Sequence, residues 1–381
     1  MQQPIYLDHA ATTPTHPLVV EEMIPYMVNV FGNPSSVHSF GRKSRHAVDE
    51  SREIIAKSIN AKESEIIFTS GGTEADNLAL MGVARAYKEK GNHIITTAVE
   101  HHAVLHTCKY LEKEGFEITY LPVNQYGEID VEDLKKAIKD TTILVSIMLG
   151  NNEVGTMQPI QAIGELLAET DILFHSDAVQ AFGSVEIDVN ELRLDLMSAS
   201  AHKINGPKGI GLLYVRKGVK LVAQQYGGEQ ERKRRAGTEN VPGIIGFKKA
   251  VQIVENERAK KIESFLRFKE RMITIFTEEG IAFAINNKGA KEVLPQILNV
   301  SFPGTNVESL LVNFDLAGVA ASSGSACTAG SIDPSHVLVA MFGQDASKIH
   351  SSIRFSFGYG NTVEQVEEAA YDITKIVKRL T

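Results

Sequence analysis

The stretch Leu196-Met-Ser-Ala-Ser-Ala-His-Lys203, followed by Ile204-Asn-Gly-Pro-Lys-Gly-Ile-Gly211, decides how the rest of this chain is interpreted. An apolar, strand-like run changes to small residues, then to His202 and Lys203, and then to a glycine-rich turn. This pattern places a lysine at the end of a sheet strand, beside backbone with little bulk. Burial at such a position lowers the pKa of a lysine amine and makes it a nucleophile, although most lysines are simply solvated.

The composition is that of an ordinary globular protein. Its 381 residues exceed the usual size of one hydrophobic core, so two domains are expected. The formal net charge of −8 argues against a nucleic-acid-binding surface. No apolar run is long enough for a transmembrane helix, and the N-terminus lacks the pattern of a signal peptide. The two cysteines, Cys108 and Cys327, indicate the reducing cytoplasm and no disulfide framework.

Strand-like and helical segments alternate through the first two thirds of the chain. The opening residues have no regular pattern, and the first helix is expected over Gly41–Asn60. The expected strands are 66–70, 93–97, 117–121, 142–148, 172–176 and 194–198, with helices over 74–88, 103–114, 131–138 and 160–169. This alternation predicts an α/β domain with a largely parallel sheet.

The pattern changes after about Pro242. A long charged helix over Gly246–Glu279 is expected to connect two domains, with its charges on a solvated face. Two strand-like runs (297–301 and 352–357) and two helices (308–314 and 363–380) follow. We therefore expect a large α/β domain over residues 14–258, and a small α+β domain formed by residues 1–13 and 259–381.

Polar or ionisable residues follow five of the expected strands, where ligands of open parallel sheets bind. Gly71-Gly72-Thr73 begins a helix and offers N–H groups and a hydroxyl to a phosphate, without matching the dinucleotide or Walker fingerprints. The other strand ends supply Glu100-His101-His102, Asn151-Asn152-Glu153, Asp177 with Gln180, and Ser200 with His202 and Lys203.

Several of these residues have a structural alternative. Asp177 suits a protonated pyridine nitrogen but also suits a helix cap. His101 suits stacking on an aromatic ring or proton transfer, but a single histidine is more often structural. His102 and His106 have the i, i+4 spacing of metal ligands, yet no acidic or cysteine third ligand is evident nearby, so no intrinsic metal is expected. Cys108 lies on the apolar side of the same helix and is expected in the core.

Cys327 differs from Cys108 in its surroundings. It lies in Ser322-Ser-Gly-Ser-Ala-Cys-Thr-Ala-Gly-Ser331, whose small residues cannot pack into a core. Such a segment is expected to be exposed and mobile. Because an exposed thiol is reactive, the pattern favours a functional cysteine.

Taken together, these motifs resemble the cysteine desulfurases of the NifS/IscS family, within the fold-type I enzymes that use pyridoxal phosphate. The resemblance covers essentially the whole chain. It depends on the motifs Tyr6–Pro14, Gly32–Ser36, Ser70–Glu74, Glu100–His101, Asn151–Gly155, His175–Gln180, Ser200–Lys203, Arg235–Thr238 and Gly324–Cys327. It implies a mostly parallel seven-stranded sheet in the large domain, and a smaller α+β domain that carries the cysteine loop.

The resemblance also implies roles for individual residues. Lys203, Cys327 and His101 would be catalytic: Lys203 would bond the cofactor, and Cys327 would take sulfur from L-cysteine, leaving L-alanine. The cofactor would be held by Gly72, Thr73, His101, Asn152, Asp177, Gln180, Ser200, His202, Lys203 and, from the neighbouring subunit of a homodimer, Thr238. Asn33 and Arg354 would hold the substrate carboxylate, for which a planar guanidinium is suited.

The implied partner is a sulfur-acceptor protein, either an iron–sulfur scaffold or a transfer-RNA thiolase. In a scaffold complex, Cys327 could serve as a transient iron–sulfur ligand. The Ser-Gly-Ser-Ala-Cys context is that of the group with the longer loop, whereas an Arg-x-Gly-His-x-Cys context marks the other group. Because the chain ends at Thr381, directly after its last helix, the C-terminal extension that longer relatives use to dock a scaffold is not expected.

Other functions remain as alternatives. A selenocysteine lyase or another cysteine- or cystine-cleaving enzyme of the same fold would use a similar site. A non-catalytic relative would be expected to lack Lys203, Asp177 or Cys327, which are all present. A nicotinamide dehydrogenase is disfavoured because the dinucleotide fingerprint is missing.

Overall fold

A computed structural model describes residues 4–323 and 334–381. The strands are β1 (Ile5–Tyr6), β2 (Ile66–Thr69), β3 (His93–Thr97), β4 (Glu117–Leu121), β5 (Thr142–Ser146), β6 (Leu173–Asp177), β7 (Leu196–Ser200), β8 (Gly211–Val215), β9 (Ala284–Ile285), β10 (Ile297–Ser301), β11 (Val319–Ala320) and β12 (Ser352–Ser356). The α-helices are α1 (Pro17–Val28), α2 (Ser39–Lys57), α3 (Gly72–Tyr87), α4 (His102–Lys113), α5 (Val131–Ala137), α6 (Ile160–Leu167), α7 (Val241–Glu278), α8 (Val307–Leu316), α9 (His336–Phe342) and α10 (Val363–Leu380).

The large sheet has seven strands in the order β2-β8-β7-β6-β5-β3-β4. The pairs β7–β6, β6–β5, β5–β3 and β3–β4 are parallel, whereas β8 runs antiparallel to both of its neighbours. Successive side chains point to opposite faces, so Ile94 packs in one hydrophobic cluster with α3 and α4, and Ile95 packs in another with α2 and α7. Both faces are covered, as a parallel sheet requires, and the predicted fold class is confirmed.

The sequence analysis did not expect the short elements β1, β9, β11 and α9, nor two longer ones, α1 and β8. The opening residues were expected to be irregular, but α1 forms there, with Pro17 at its first position and His16 accepting the amide proton of Leu18. That expectation was wrong because α1 contains Pro25 and leaves much of its apolar surface exposed, which hides a helical pattern. The sequence analysis also missed β8, which follows the glycine-rich turn and returns antiparallel to β7.

The smaller core packs around the three-stranded antiparallel sheet β12-β10-β9 and helices α8 and α10. Helix α7 spans 38 residues, and it contributes Ile244 and Val251 to the large core and Phe268 and Phe276 to the small core. The expected connector helix is therefore present, while the domain boundaries at residues 13/14 and 258/259 stay predictions.

Cys108 is fully buried in the cluster that covers one face of the large sheet, and its pKa is raised by that burial. Its predicted role as a core residue is thus supported by its position. Within the ranges 4–323 and 334–381, no helix is both long and apolar enough to cross a membrane.

A buried ion pair holds the segment before α7 against the large domain. Arg52 of α2 donates from both terminal nitrogens to the Glu231 carboxylate, each at 2.7 Å, and its guanidinium lies 4.5 Å from the centre of the Phe68 ring. The same carboxylate accepts the Phe68 amide at 3.0 Å. Both side chains of the pair are buried, and each also makes a hydrogen bond to the backbone. Removing one charge would therefore leave the other buried without a counter-charge.

Glu231→Gln is expected to lower the free energy of unfolding by about 3–5 kcal/mol, the cost of an unpaired buried charge. Denaturant unfolding of the variant and the wild type measures this difference. Glu53→Gln is the matched control, because Glu53 pairs with Lys57 at 2.6 Å on the exposed face of α2, where a pair adds little stability. Equal effects of the two substitutions would contradict the assignment.

Candidate active site

The N-terminus of α3 has features that favour anion binding. Its N-cap, Gly71, has no side chain to occupy the amides of the first turn, and those amides have no acceptor within the helix. Packing requires the glycines: a Cβ on Gly72 would lie 2.7 Å from Cγ2 of Val179, and a Cβ on Gly211 would lie 2.8 Å from Cα of Gly71. Free amides and the helix dipole together favour a phosphate here.

Lys203 lies at the end of β7, in a short 3-10 turn over Ala201–Lys203. Its Nζ donates to the carbonyl oxygens of Ala10 and, at 3.0 Å, of Ala11. The amide and hydroxyl of Thr13 both donate to the His202 carbonyl, at 3.1 and 2.7 Å. The N-terminal segment therefore fixes both the backbone and the amine of the lysine turn.

Asp177, Asp76 and His101 come together from three different elements. Asp177 ends β6, Asp76 lies one turn into α3, and His101 is the N-cap of α4. One side-chain nitrogen or oxygen of each lies within 4.8 Å of the others. The sequence analysis missed Asp76, although its i+4 spacing from Gly72 places both on one face of α3.

Burial sets the protonation of the two carboxyl groups. It raises the pKa of Asp177 to about 6, against the lowering effects of the Val179 amide and the Lys203 charge. It raises the pKa of Asp76 well above its usual range, and the nearby Asp177 charge raises it further. Since two close, buried carboxyl groups cannot both ionise, Asp76 holds the proton and Asp177 is the anion at neutral pH.

The histidines of the site are neutral. Burial, followed by the Lys203 charge, lowers the pKa of His101 to about 4 and that of His202 to about 4. His101 Nδ1 accepts the Ala103 amide at 3.1 Å, which assigns the ring proton to Nε2. His202 Nδ1 lies 3.1 Å from the Thr12 hydroxyl. An uncharged imidazole can stack on a flat ring without burying a charge.

Arg354, the predicted carboxylate-binding residue, lies in β12 with only 2% of its surface exposed. Its Nη2 pairs with Asp8 at 2.7 Å and its Nη1 donates to the Asn152 carbonyl at 2.9 Å. Its Nε is buried and has no hydrogen-bond partner in the described part of the chain. Asp8, which the sequence analysis did not place in the site, therefore orients this guanidinium.

The other predicted binding residues differ in their surroundings. Gln180 Nε2 donates to the Ala10 carbonyl at 2.8 Å, and Ser200 is buried at the end of β7. Thr73, Asn33 and Thr238 are exposed, and Asn33 Oδ1 accepts the Ser35 amide at 2.9 Å. The roles of all these residues stay predictions.

Cys327 lies outside the described residues. The residues on either side of that gap are held at the site, since the backbone of Ser322 exchanges hydrogen bonds with Arg354 at 2.6 and 3.2 Å. The Ser335 hydroxyl donates to the carboxylate of Glu153. The described residues just before 324 thus lie beside Arg354, and those just after 333 lie beside Glu153.

Comparison with known proteins agrees with this geometry. Residues 5–368 match the family model described as aminotransferase class-V. The chain is 60% identical over 378 residues to the putative cysteine desulfurase IscS 1 of Bacillus subtilis (strain 168), covering 99% of both chains. The chain belongs to the NifS/IscS cysteine desulfurases. The predicted family is therefore confirmed, and cysteine desulfurase is favoured over the selenocysteine or cystine lyase alternative.

Solved structures of family members share the fold. A structure titled "NIFS-LIKE PROTEIN" superimposes with a TM-score of 0.92 at 36% identity, covering 99% of this chain and all of the other. A second, titled "SspA in complex with cysteine", has a TM-score of 0.82 at 38% identity and covers 93% of this chain and 98% of the other. Both solved structures thus share the overall fold of this chain.

The proton assignment predicts opposite outcomes for the two aspartates. Asp76→Asn mimics the protonated acid and is expected to leave cofactor affinity unchanged. Asp177→Asn removes the buried anion that would pair with the pyridine nitrogen of the cofactor. Because breaking a buried ion pair costs about 3–5 kcal/mol, the affinity for pyridoxal phosphate should fall by a factor of about 100 or more. Titration of the apoprotein with pyridoxal phosphate, followed by absorbance, measures both. If Asp76→Asn lost as much affinity for pyridoxal phosphate as Asp177→Asn, the assignment of the proton to Asp76 would be wrong.

Glu100 predicts a pH dependence of stability. It is fully buried, Oε2 has no partner in the described residues, and burial raises its pKa to about 8. The folded protein keeps the proton on Glu100 up to about pH 8, whereas the unfolded chain loses it at the ordinary, lower pKa of a glutamate. The free energy of unfolding therefore falls by about 1.4 kcal/mol per pH unit as pH rises from the unfolded pKa towards 8. Glu100→Gln stays neutral and should gain stability relative to the wild type as pH rises through this window.

Thermal or denaturant unfolding from pH 5 to pH 8 tests the Glu100 prediction. Glu112→Gln, on the exposed face of α4, is the control and should keep the wild-type pH profile. A Glu100→Gln profile parallel to the wild type would show that Glu100 ionises normally.

Proposed function

We propose that this chain uses pyridoxal phosphate to remove sulfur from L-cysteine, forming L-alanine and a persulfide on Cys327. The main support for the proposal is that four features lie together at one edge of the sheet. They are Lys203, the buried Asp177, the neutral His101 and the N-terminus of α3 without a side-chain cap. Membership of the cysteine desulfurases supports it, as does a family structure whose title names a complex with cysteine.

The side chains fit the cofactor group by group. The open amides of α3 suit its phosphate, the Asp177 anion suits a protonated pyridine nitrogen, and the Lys203 amine suits its aldehyde. His101 presents a neutral ring for stacking. Ser200, His202 and Thr73 lie on the elements that surround this space. When bound, pyridoxal phosphate supplies an electron sink that acidifies the Cα proton of an amino acid.

The residues of the chain then have separable tasks. Lys203 would hold, on its Nζ, the proton taken from the Cα of the substrate. Asp177 keeps the pyridine nitrogen protonated, and Arg354, oriented by Asp8, receives the substrate carboxylate with Asn33. The Cys327 thiolate bonds to the substrate sulfur as the carbon–sulfur bond breaks. The electron pair of that bond stays on Cβ, which takes up a proton from solvent, and Nζ of Lys203 returns its proton to Cα as L-alanine leaves.

We extend the proposal to a homodimer in which Thr238 completes the phosphate site of the neighbouring subunit. Large apolar side chains are exposed along α1 and the segment after it, namely Leu18, Ile24, Met27, Val28, Phe31, Val37 and Phe40. An apolar surface of this kind is typical of an interface. Thr238 is itself exposed, in a segment that Arg235 ties to Glu74 at 2.7 Å.

The sulfur acceptor and the compartment belong to the same proposal. A protein acceptor, either an iron–sulfur scaffold or a transfer-RNA thiolase, would receive sulfur from Cys327 in the cytoplasm. The family supports transfer to a protein, and the low cysteine content supports a reducing compartment.

Cys327→Ser tests the proposed chemistry. The variant is expected to bind pyridoxal phosphate normally, but to form neither L-alanine above background nor a protein species heavier by one sulfur atom. Mass spectrometry of the protein after incubation with L-cysteine, together with L-alanine quantification, measures both products. Cys108→Ala removes the other, buried cysteine and should retain both. Persulfide or wild-type L-alanine formation by Cys327→Ser would refute the assignment.

A further inference from the structure

A small, partly open cavity lies beside the lysine turn, between α7 and the N-terminal segment. Its volume is about 50 Å³, and its wall includes Lys203, Arg258, Lys261 and Gln296. One water molecule needs roughly 10–15 Å³ on this measure. The cavity therefore has room for a small ion together with at least one water molecule.

Buried polar atoms without partners are concentrated in this wall. Arg258 Nε, Lys261 Nζ and Gln296 Oε1 are inaccessible to solvent and make no hydrogen bond to the described residues. His9 Nδ1, in the same wall, shares this property, but burial lowers the His9 pKa to about 4 and keeps the ring neutral. A buried polar group without a hydrogen-bond partner destabilises the folded state. A bound species that satisfied several of them would stabilise the fold.

The charge of the wall indicates what that species is. Arg258 and Lys261 are three residues apart on α7, so they lie on one face, where like charges repel. Lys261 is 3.4 Å from Glu257, but that carboxylate is about half exposed, at 46%, and does not line the cavity. No carboxylate is found among the described residues of the wall. A cavity whose wall carries two cations and no carboxylate among its described residues favours an anion.

We propose that this cavity binds a small inorganic anion of halide size between Arg258 and Lys261, with a water molecule beside it that donates to Gln296 Oε1. The anion would offset the charge of Arg258, act beside Glu257 on that of Lys261, and link α7 to both cores. Gln296 connects the cavity to Gln180 through an amide–carbonyl hydrogen bond of 3.0 Å. Because the site requires the folded arrangement of both cores, anion binding would stabilise the folded protein.

Bromide is the probe for a direct test, because its anomalous scattering distinguishes it from water. Crystals of the holoenzyme grown at low bromide concentration are expected to show an anomalous peak within hydrogen-bond reach of Arg258 Nε and Lys261 Nζ. Chloride in excess should displace that peak. A cavity that holds only water, or a bromide peak that appears only at very high concentration, would overturn the proposal.

Thermal unfolding in bromide and in gluconate at equal ionic strength gives an independent test, since gluconate is too large for the cavity. Lys261→Gln and Arg258→Gln should lose the bromide-dependent part of the shift in melting temperature. Lys260→Gln, an exposed neighbour on α7, is the matched control and should keep the wild-type shift. Equal shifts in wild type, Lys261→Gln and Lys260→Gln would contradict an anion site. If a charge-removing variant fails to fold, the wild-type crystal experiment still decides the question.

Discussion

The hydrogen bonds of the N-terminal segment hold this molecule in its functional arrangement. The Ala10 amide donates to the Ser356 hydroxyl of the small core at 2.8 Å, while the Ala10 carbonyl accepts from both Gln180 and Lys203 of the large core. A few residues therefore set the distance between the lysine turn and β12, the strand that carries Arg354. This segment acts together with α7, which packs in both cores, and with the hydrogen bond from Arg354 to the Asn152 carbonyl.

Burial then determines the chemistry of what has been brought together. The same desolvation that keeps His101 uncharged raises the pKa of both Asp76 and Asp177. One proton on Asp76 allows Asp177 to remain an anion in a dry site. Two carboxyl groups and a neutral imidazole within 4.8 Å of one another thus give a single negative charge, which matches a cationic pyridine ring.

Sequence patterns predicted the parts of the site that follow strands, because parallel strands must end at one edge of a sheet. The Gly71-Gly72-Thr73 turn, His101, Asp177 and Lys203 were predicted as site residues in this way. Asp76 was missed because it lies inside a helix with no local sign of burial. Asp8 was missed because its pairing with Arg354 spans 346 positions of chain, and no local pattern reports such a contact. The sequence analysis missed α1 because apolar residues also lie on its exposed face, so the helix has no clear amphipathic pattern.

The central claim is that Lys203 is the residue that bonds the cofactor at this edge of the sheet. Reduction of the holoenzyme with borohydride fixes the cofactor on the lysine it occupies, and peptide mapping by mass spectrometry then locates it. We predict one pyridoxyl group per chain, on the peptide that contains Lys203. A label on Lys208 or any other lysine, with Lys203 unmodified, would contradict the assignment of the site.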